Sequence, residues 1–277
     1  MSDPALPAMD TSTLPDAVGS YLAANHDELA AFIERLVGFD TQNPPGGTTA
    51  VIEWLEGVLA DAGVAVERVA VDPEKPNLLA TIRGQTARTL CFNGHLDTVR
   101  FDASDWTYDP LGERADDRIY GRGTTDMKGA VAAMLQVALA YAHTDTTPPV
   151  TLQFAFVSDE ETGGDAGLTT LLETTTFAPD ACVVGETTAR NGRYSVSVAD
   201  RGNIWLTLEA SGTAAHGSRP MIGENAIDRL TAAIEQLRQD FGQQELAVDP
   251  SMEPIIEESI AFYEPEAGAE ATRQLYR

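Results

Sequence analysis

An open, mostly parallel α/β sheet with helices on both faces, followed by the first part of an α+β unit, is the architecture this sequence predicts. Three observations predict it. Helical stretches alternate with short apolar runs between residues 15 and 186. Several of those runs are apolar at nearly every position, as buried strands are. Near residue 190 the alternation gives way to strand, strand, helix. Residues 1–190 therefore read as one domain, with about 14 loose residues at its start, and 191–277 as the beginning of another.

The leader, "MSDPALPAMDTSTLPDA", is acidic and punctuated by proline, unlike the basic-then-apolar plan of a signal peptide. Residues 15–38 and 48–63 carry apolar side chains at helical spacing, and "DTQNPPGG" between them is a loop by its Pro and Gly content. Strands follow in "VAVERVAV", "NLLATIRG" and "TLCFNGHLDTV". After "RIYGRG" comes a long helix, "DMKGAVAAMLQVALAYAH", then the strand "VTLQFAFV", a short helix, and the strand "ACVVGE". In the second unit, "RYSVSVADRGNIWLTLEASG" reads as two strands and "NAIDRLTAAIEQLRQDF" as a helix. The last 30 residues show no closing strand, and the chain reads as a fragment of a longer protein.

Charge narrows the function. Asp and Glu number 43 against 18 Lys and Arg, a formal net charge of -25, and the only lysines are Lys75 and Lys128. A nucleic-acid partner bound through a broad basic surface is excluded on that balance. The composition resembles that of halophilic proteins, whose carboxylates are screened in molar salt by a Debye length of about 3 Å. Self-repulsion would then loosen the fold in dilute buffer. No run approaches the roughly 18 apolar residues of a membrane helix, so no membrane partner is expected. Cys91 and Cys182 both fall in strands and read as buried free thiols, which suits the cytoplasm.

Most carboxylates of so acidic a chain are solvated surface, so only those clustered at strand ends are informative. Four segments qualify. In Gly94-His95-Leu96-Asp97-Thr98-Val99, His95 and Asp97 lie two apart on an extended run and share a side. In Gly121-Arg122-Gly123-Thr124-Thr125-Asp126-Met127-Lys128-Gly129, Asp126 stands at a helix start, where a carboxylate also serves as a simple cap. Ser158-Asp159-Glu160-Glu161-Thr162-Gly163-Gly164 places three carboxylates at a strand mouth, a solvated turn or a cation site. Gly185-Glu186-Thr187-Thr188 ends a further strand.

Taken in order, GHLDTV, GRGTTDMKG, SDEETGG and GETT resemble the signatures of the ArgE/DapE/aminoacylase/carboxypeptidase G family of dinuclear zinc amidohydrolases, over residues 80–226. The resemblance implies a zinc-exopeptidase-like catalytic domain with an incomplete lid or dimerisation domain after it. It implies that His95 and Glu186 bind one metal with Asp97 behind His95, that Asp126 bridges two metals, and that Glu161 binds the second. Glu160 would be the general base drawing a proton from a metal-bridged water. His216, in "SGTAAHGSRP", would reach the other subunit's site and stabilise the oxyanion, with Asn225 a further polar contact. The implied cofactor is two Zn2+, with Co2+ or Mn2+ as substitutes. The implied function is amide hydrolysis of an N-acyl amino acid, acylated diamino acid or short peptide by a homodimer. One more histidine ligand is required for the second metal. Of the four histidines, His26 and His143 lie in or at the ends of helices and read as surface residues. A non-catalytic metal-binding relative, or a fragment lacking the second site, is the alternative.

Overall fold

The computed structural model describes residues 14–188, 195–197, 205–242 and 249–276. By internal contacts the chain divides into Met1–Val198 and Ala199–Arg277, taken here one at a time.

The first unit opens with α1 (Asp16–Ala24) and α2 (His26–Val37). The helical run expected over 15–38 is thus broken at Asn25. Its side-chain Nδ2 donates back to the Tyr21 carbonyl at 2.8 Å, and its backbone leaves the helical region, φ -112° and ψ 26°. Such local bonding is why Asn competes with a continuing helix. After the loop at 38–48 comes α3 (Thr49–Asp61), then β1 (Ala65–Val69), β2 (Asn77–Ile82) and β3 (Thr89–His95). A small hairpin of β4 (Glu113–Ala115) and β5 (Arg118–Tyr120), not anticipated from sequence, leads into α4 (Gly129–His143). The unit is completed by β6 (Thr151–Val157), α5 (Leu168–Thr174) and β7 (Ala181–Val184).

The five longer strands form one sheet in the order β1-β2-β6-β3-β7. β3 runs parallel to β6 and β7, while β2 alone is reversed, pairing antiparallel with β1 and β6. Four strands therefore share a direction, as expected. Alternation along the strands sorts side chains to two faces. Leu78, Phe154 and Phe156 meet Leu36, Ile52, Leu55, Val131 and Leu135 from α2, α3 and α4. Leu79, Cys91, Ala155 and Val157 meet Leu171 of α5 and Phe177. Each fully buried Leu or Phe contributes roughly 1.5–3 kcal/mol of burial, enough in sum to hold the sheet rigid beneath the site.

One cysteine departs from expectation. Cys91 is buried and a free thiol, as read; Cys182 is free but exposed. β7 is an edge strand, all four of its residues are exposed, and nothing among the described residues covers it.

In the second unit the described elements are α6 (Ala226–Gly242), α7 (Glu253–Ala267) and α8 (Ala269–Tyr276), with α7 and α8 packed about Ile260 and Thr272. The two strands expected over 193–212 fall largely outside the described residues. Residues 205–212 form no strand; the one ladder contact nearby is an isolated bridge between Thr213 and Glu224. The loose leader of about 14 residues likewise lies almost wholly outside the described residues.

Candidate metal centre

Parallel strands β6, β3 and β7 end together, and in such sheets ligands gather beyond the carboxyl ends. His95 is the last residue of β3 and pairs in register with Val157, the last of β6. On the other side Asn93 pairs with Val184, so carrying the register two residues further brings Glu186 beside His95. Gly185 makes that approach possible, since a Cβ there would meet Met134 Cε at 2.7 Å and Ala130 Cβ at 2.8 Å. Asp126 arrives from the irregular turn Thr124–Lys128 that precedes α4.

The result is one buried imidazole facing carboxylates. His95 is 2% exposed; its Nδ1 lies 2.9 Å from the Asp97 carbonyl oxygen, and its Nε2 lies 3.0 Å from Asp126 Oδ1 and 3.1 Å from Glu186 Oε1. One ligand atom from each of His95, Asp126 and Glu186 fits within a sphere where all are within 4.8 Å of one another. Burial draws the imidazole pKa down, but hydrogen bonds to Asp126, Asp97 and Glu186 outweigh it and hold the group at about 12. The geometry thus calls for a cation at Nε2, which a proton or a divalent metal can supply. One nitrogen and two carboxylate oxygens are donors that zinc, cobalt and manganese accept. With Nδ1–H donating to the Asp97 carbonyl, Nε2 is the ring nitrogen left for a metal.

Asp97 lies behind His95, its carbonyl oxygen 2.9 Å and its carboxylate Oδ1 3.6 Å from Nδ1. The fully buried carboxylate also accepts from the Glu160 N–H at 3.2 Å, the Glu161 N–H at 3.1 Å and Asn43 Nδ2 at 2.8 Å. Burial raises its pKa; the His95, Asn43 and backbone contacts bring it below the ordinary carboxylate value. Asp97 therefore anchors the segment that carries Glu160 and Glu161.

Asp159 anchors the same segment from the other side. It sits in the left-handed region at φ 68°, which Asp tolerates better than most residues. Its carboxylate accepts from Lys75 Nζ, from Thr162 Oγ1 at 2.8 Å, from the Ala166 N–H at 3.1 Å and from Asn43 Nδ2 at 3.2 Å. Burial raises its pKa, but the Lys75 ammonium and these donors pull it down to about 2. Asn43 and Lys75 were missed in the sequence; scarcity was the signal, because a chain that otherwise uses Arg kept only two lysines. The other, Lys128, is 1% exposed and donates from Nζ to the Phe39 carbonyl at 2.8 Å, with burial pushing its pKa down to about 8. Replacing Lys75 by Met is expected to lower stability by about 3 kcal/mol, the low end for a buried ion pair that loses one partner. Thermal unfolding of the variant beside wild type measures it.

Glu160 stands at the mouth, its Oε2 3.9 Å from His95 Nε2. Burial, then Glu186, Asp97 and Asp126, raise its pKa against the pull of His95. Glu161 stands apart from the three-residue cluster, its Oε1 accepting from the Val99 N–H at 3.1 Å. His216 belongs to the second unit, exposed, with Nδ1 2.9 Å from Ser218 Oγ. Asn225 Oδ1 accepts from the Ile227 N–H at 3.0 Å, the contact of a residue opening α6. His26 and His143 are exposed, as read.

Residues 91–271 match the family described as Peptidase family M20/M25/M40. An acetylornithine deacetylase of Vibrio campbellii is 35% identical over 198 residues, covering 69% of this chain and 50% of its own length. A succinyl-diaminopimelate desuccinylase of Paracoccus denitrificans is 35% identical over 216 residues, covering 75% and 55% respectively. The chain thus spans about half the length of the curated relatives it matches. Human carnosine dipeptidase 1 shares the fold with TM-score 0.54 at 23% identity, covering 71% of this chain and 42% of that one. A Staphylococcus aureus tripeptidase does so with TM-score 0.52 at 21% identity, covering 76% and 56%.

Proposed function

The chain belongs to peptidase family M20/M25/M40, and from that premise we propose that it is a metal-dependent hydrolase cleaving the amide bond of an N-acyl amino acid, acylated diamino acid or short peptide. The observation that carries the reading is the His95, Asp126 and Glu186 cluster with Glu160 at its mouth. Two zinc ions here would polarise a carbonyl and lower the pKa of water. His95, Asp126 and Glu186 would hold one of them, with Asp126 shared and Glu161 serving the other. Glu160 removes the proton of the attacking water and returns it to the leaving amine. Its raised pKa supports that double duty, because a carboxyl nearer neutrality both accepts and releases a proton readily.

Residues 1–190 serve in this reading as the catalytic domain and 191–277 as part of a lid through which two copies pair, with His216 as oxyanion donor. The cytoplasm and a salt-adapted surface belong to the same reading. Among the described residues no helix is long and apolar enough to cross a membrane. The test is hydrolysis of a panel of N-acetyl amino acids, N-succinyl amino acids and dipeptides at saturating zinc. EDTA should abolish turnover and zinc restore it; zinc-replete protein inert toward the whole panel would refute the assignment.

The alternative, a metal-binding relative without turnover, is favoured by one observation. Among the described residues a single histidine, His95, enters the cluster. The same panel separates the two.

A further inference from the structure

Two cysteines are all the chain has, and the sheet sets them side by side. β3 and β7 run parallel, and Cys91 and Cys182 are partners in their register. Residues paired this way point to the same face, so both thiols lie on the α5 side, where Cys91 packs with Leu79, Ala155 and Leu171. Neighbouring strands run about 4.7–4.9 Å apart. That spacing is inside the roughly 4.4–6.8 Å spanned by the Cα atoms of a disulfide. The register thus places the two residues at bridging distance.

Their surroundings differ. Cys91 is buried, whereas Cys182 is exposed on the edge strand. Burial first, then the neighbouring Cys182, pushes the Cys91 thiol up to about 12. Partial burial raises Cys182 too, but the hydrogen bond with Cys91 draws it back down. This is the pattern of a Cys91 S–H donating to the Cys182 sulfur. One thiol keeps its proton, and that contact favours the thiolate of its accessible neighbour.

The pair also has a fixed place relative to the metal centre. Four residues on from Cys91 is His95, and four on from Cys182 is Glu186. β3 pairs with β6 along its whole length, Thr89 to His95, but with β7 only from Leu90 to Asn93. Among the described residues β7 has no other neighbour in the sheet. An exposed edge with so short a ladder is where a sheet opens first, and opening carries Glu186 away from His95.

We propose that Cys91 and Cys182 form a dithiol–disulfide site, oxidised by a low-molecular-weight disulfide such as oxidised glutathione, whose closure ties β7 to β3 and holds Glu186 beside His95. The site rests on the register of the sheet and on no catalytic activity. The Cys182 thiolate attacks one sulfur of the small disulfide, and the other half leaves as a thiolate. Cys91 then gives its proton to solvent and attacks the Cys182 sulfur. The mixed disulfide breaks and the second small thiolate leaves. Two protein thiols are oxidised, and one small disulfide is reduced to two thiols. Where thiols are kept reduced, such a link is a transient sensor and not a permanent staple.

The test treats zinc-loaded chain with oxidised glutathione, blocks the remaining thiols and maps the peptides by mass spectrometry. Wild type should lose both free thiols, weigh two hydrogens less and yield one peptide pair joined through Cys91 and Cys182. Dithiothreitol should reverse the change. Closure should slow zinc release to EDTA roughly 10-fold, the lower end for a contact that fixes a metal ligand. It should also slow amide hydrogen exchange over residues 181–186. C182S should release zinc at one rate with or without oxidant. C91A should stop at a glutathione adduct on Cys182, because no second thiol resolves it. Wild type that stops at that adduct, joins two chains through Cys182, or keeps both thiols free overturns the site. A link that forms yet leaves either rate unchanged overturns the tether. A chain that takes up no zinc would refute the metal-centre reading and leave the dithiol site to its mass and exchange data.

Discussion

Glu160→Gln is expected to reduce turnover by roughly 10²- to 10⁴-fold, the scale of one general acid–base group, while the metal content stays unchanged. The structure explains why both halves should hold. The Glu160 backbone N–H is tied to Asp97 Oδ1 at 3.2 Å, and Asp97 is fully buried, so the amide side chain inherits the position of the carboxylate. What changes is the ability to take a proton. Glu160 lies outside the three-residue cluster that brackets His95 Nε2, so its loss removes no donor from that position. Steady-state kinetics at saturating zinc together with elemental analysis decide the matter. A variant that loses metal but keeps the turnover of its remaining loaded fraction would exchange the roles of Glu160 and Glu161.

About one zinc per chain should be held through exhaustive dialysis, and a second should dissociate. His95, Asp126 and Glu186 provide three protein ligands, the usual number for a zinc with an open position. In the proposed reading a second position would have only the shared Asp126 and Glu161, and the Glu161 carboxylate is engaged by the Val99 N–H. Two carboxylates without an imidazole make a weak zinc site. Hydrolysis should therefore require free zinc well above the concentration that fills the first position, following mass action. Two tightly held ions per chain would show that another imidazole completes the site. Neither His26 nor His143 is placed to do so: both are exposed, and the His143 ring stacks on Tyr21 with centroids 5.6 Å apart.

The strand ends and their residues were legible because each sits in a short contiguous motif after an apolar run. His95, Asp126 and Glu186 were named from short motifs; the sheet register brings Glu186 beside His95, and the turn before α4 brings Asp126 to them. What escaped reading is what depends on distant partners. Asn43 reaches Asp97 and Asp159 across 54 and 116 positions, and Lys75 reaches Asp159 across 84. No local spacing encodes such pairs, and "NPPGG" looks like any turn. Asp97 lies at His95 Nδ1, but that its carboxylate also holds the loop that follows β6 was not legible in the sequence. The break at Asn25 was hidden because the apolar spacing continues through it; only the side chain's competition for the Tyr21 carbonyl interrupts the helix.

The placement of the two lysines has a consequence for handling the protein. Both ε-amines are enclosed, Lys128 at 1% residue exposure and Lys75 at 17% of its side chain, each donating to an acceptor. Acylating dyes, amine-directed cross-linkers and lysine-coupled resins meet no freely solvated ε-amine on the folded chain. The same scarcity makes the two amines reporters. Because Lys75 bonds the segment that carries Glu160 and Glu161, the rate at which an acylating reagent marks it rises with the fraction of time that segment is open.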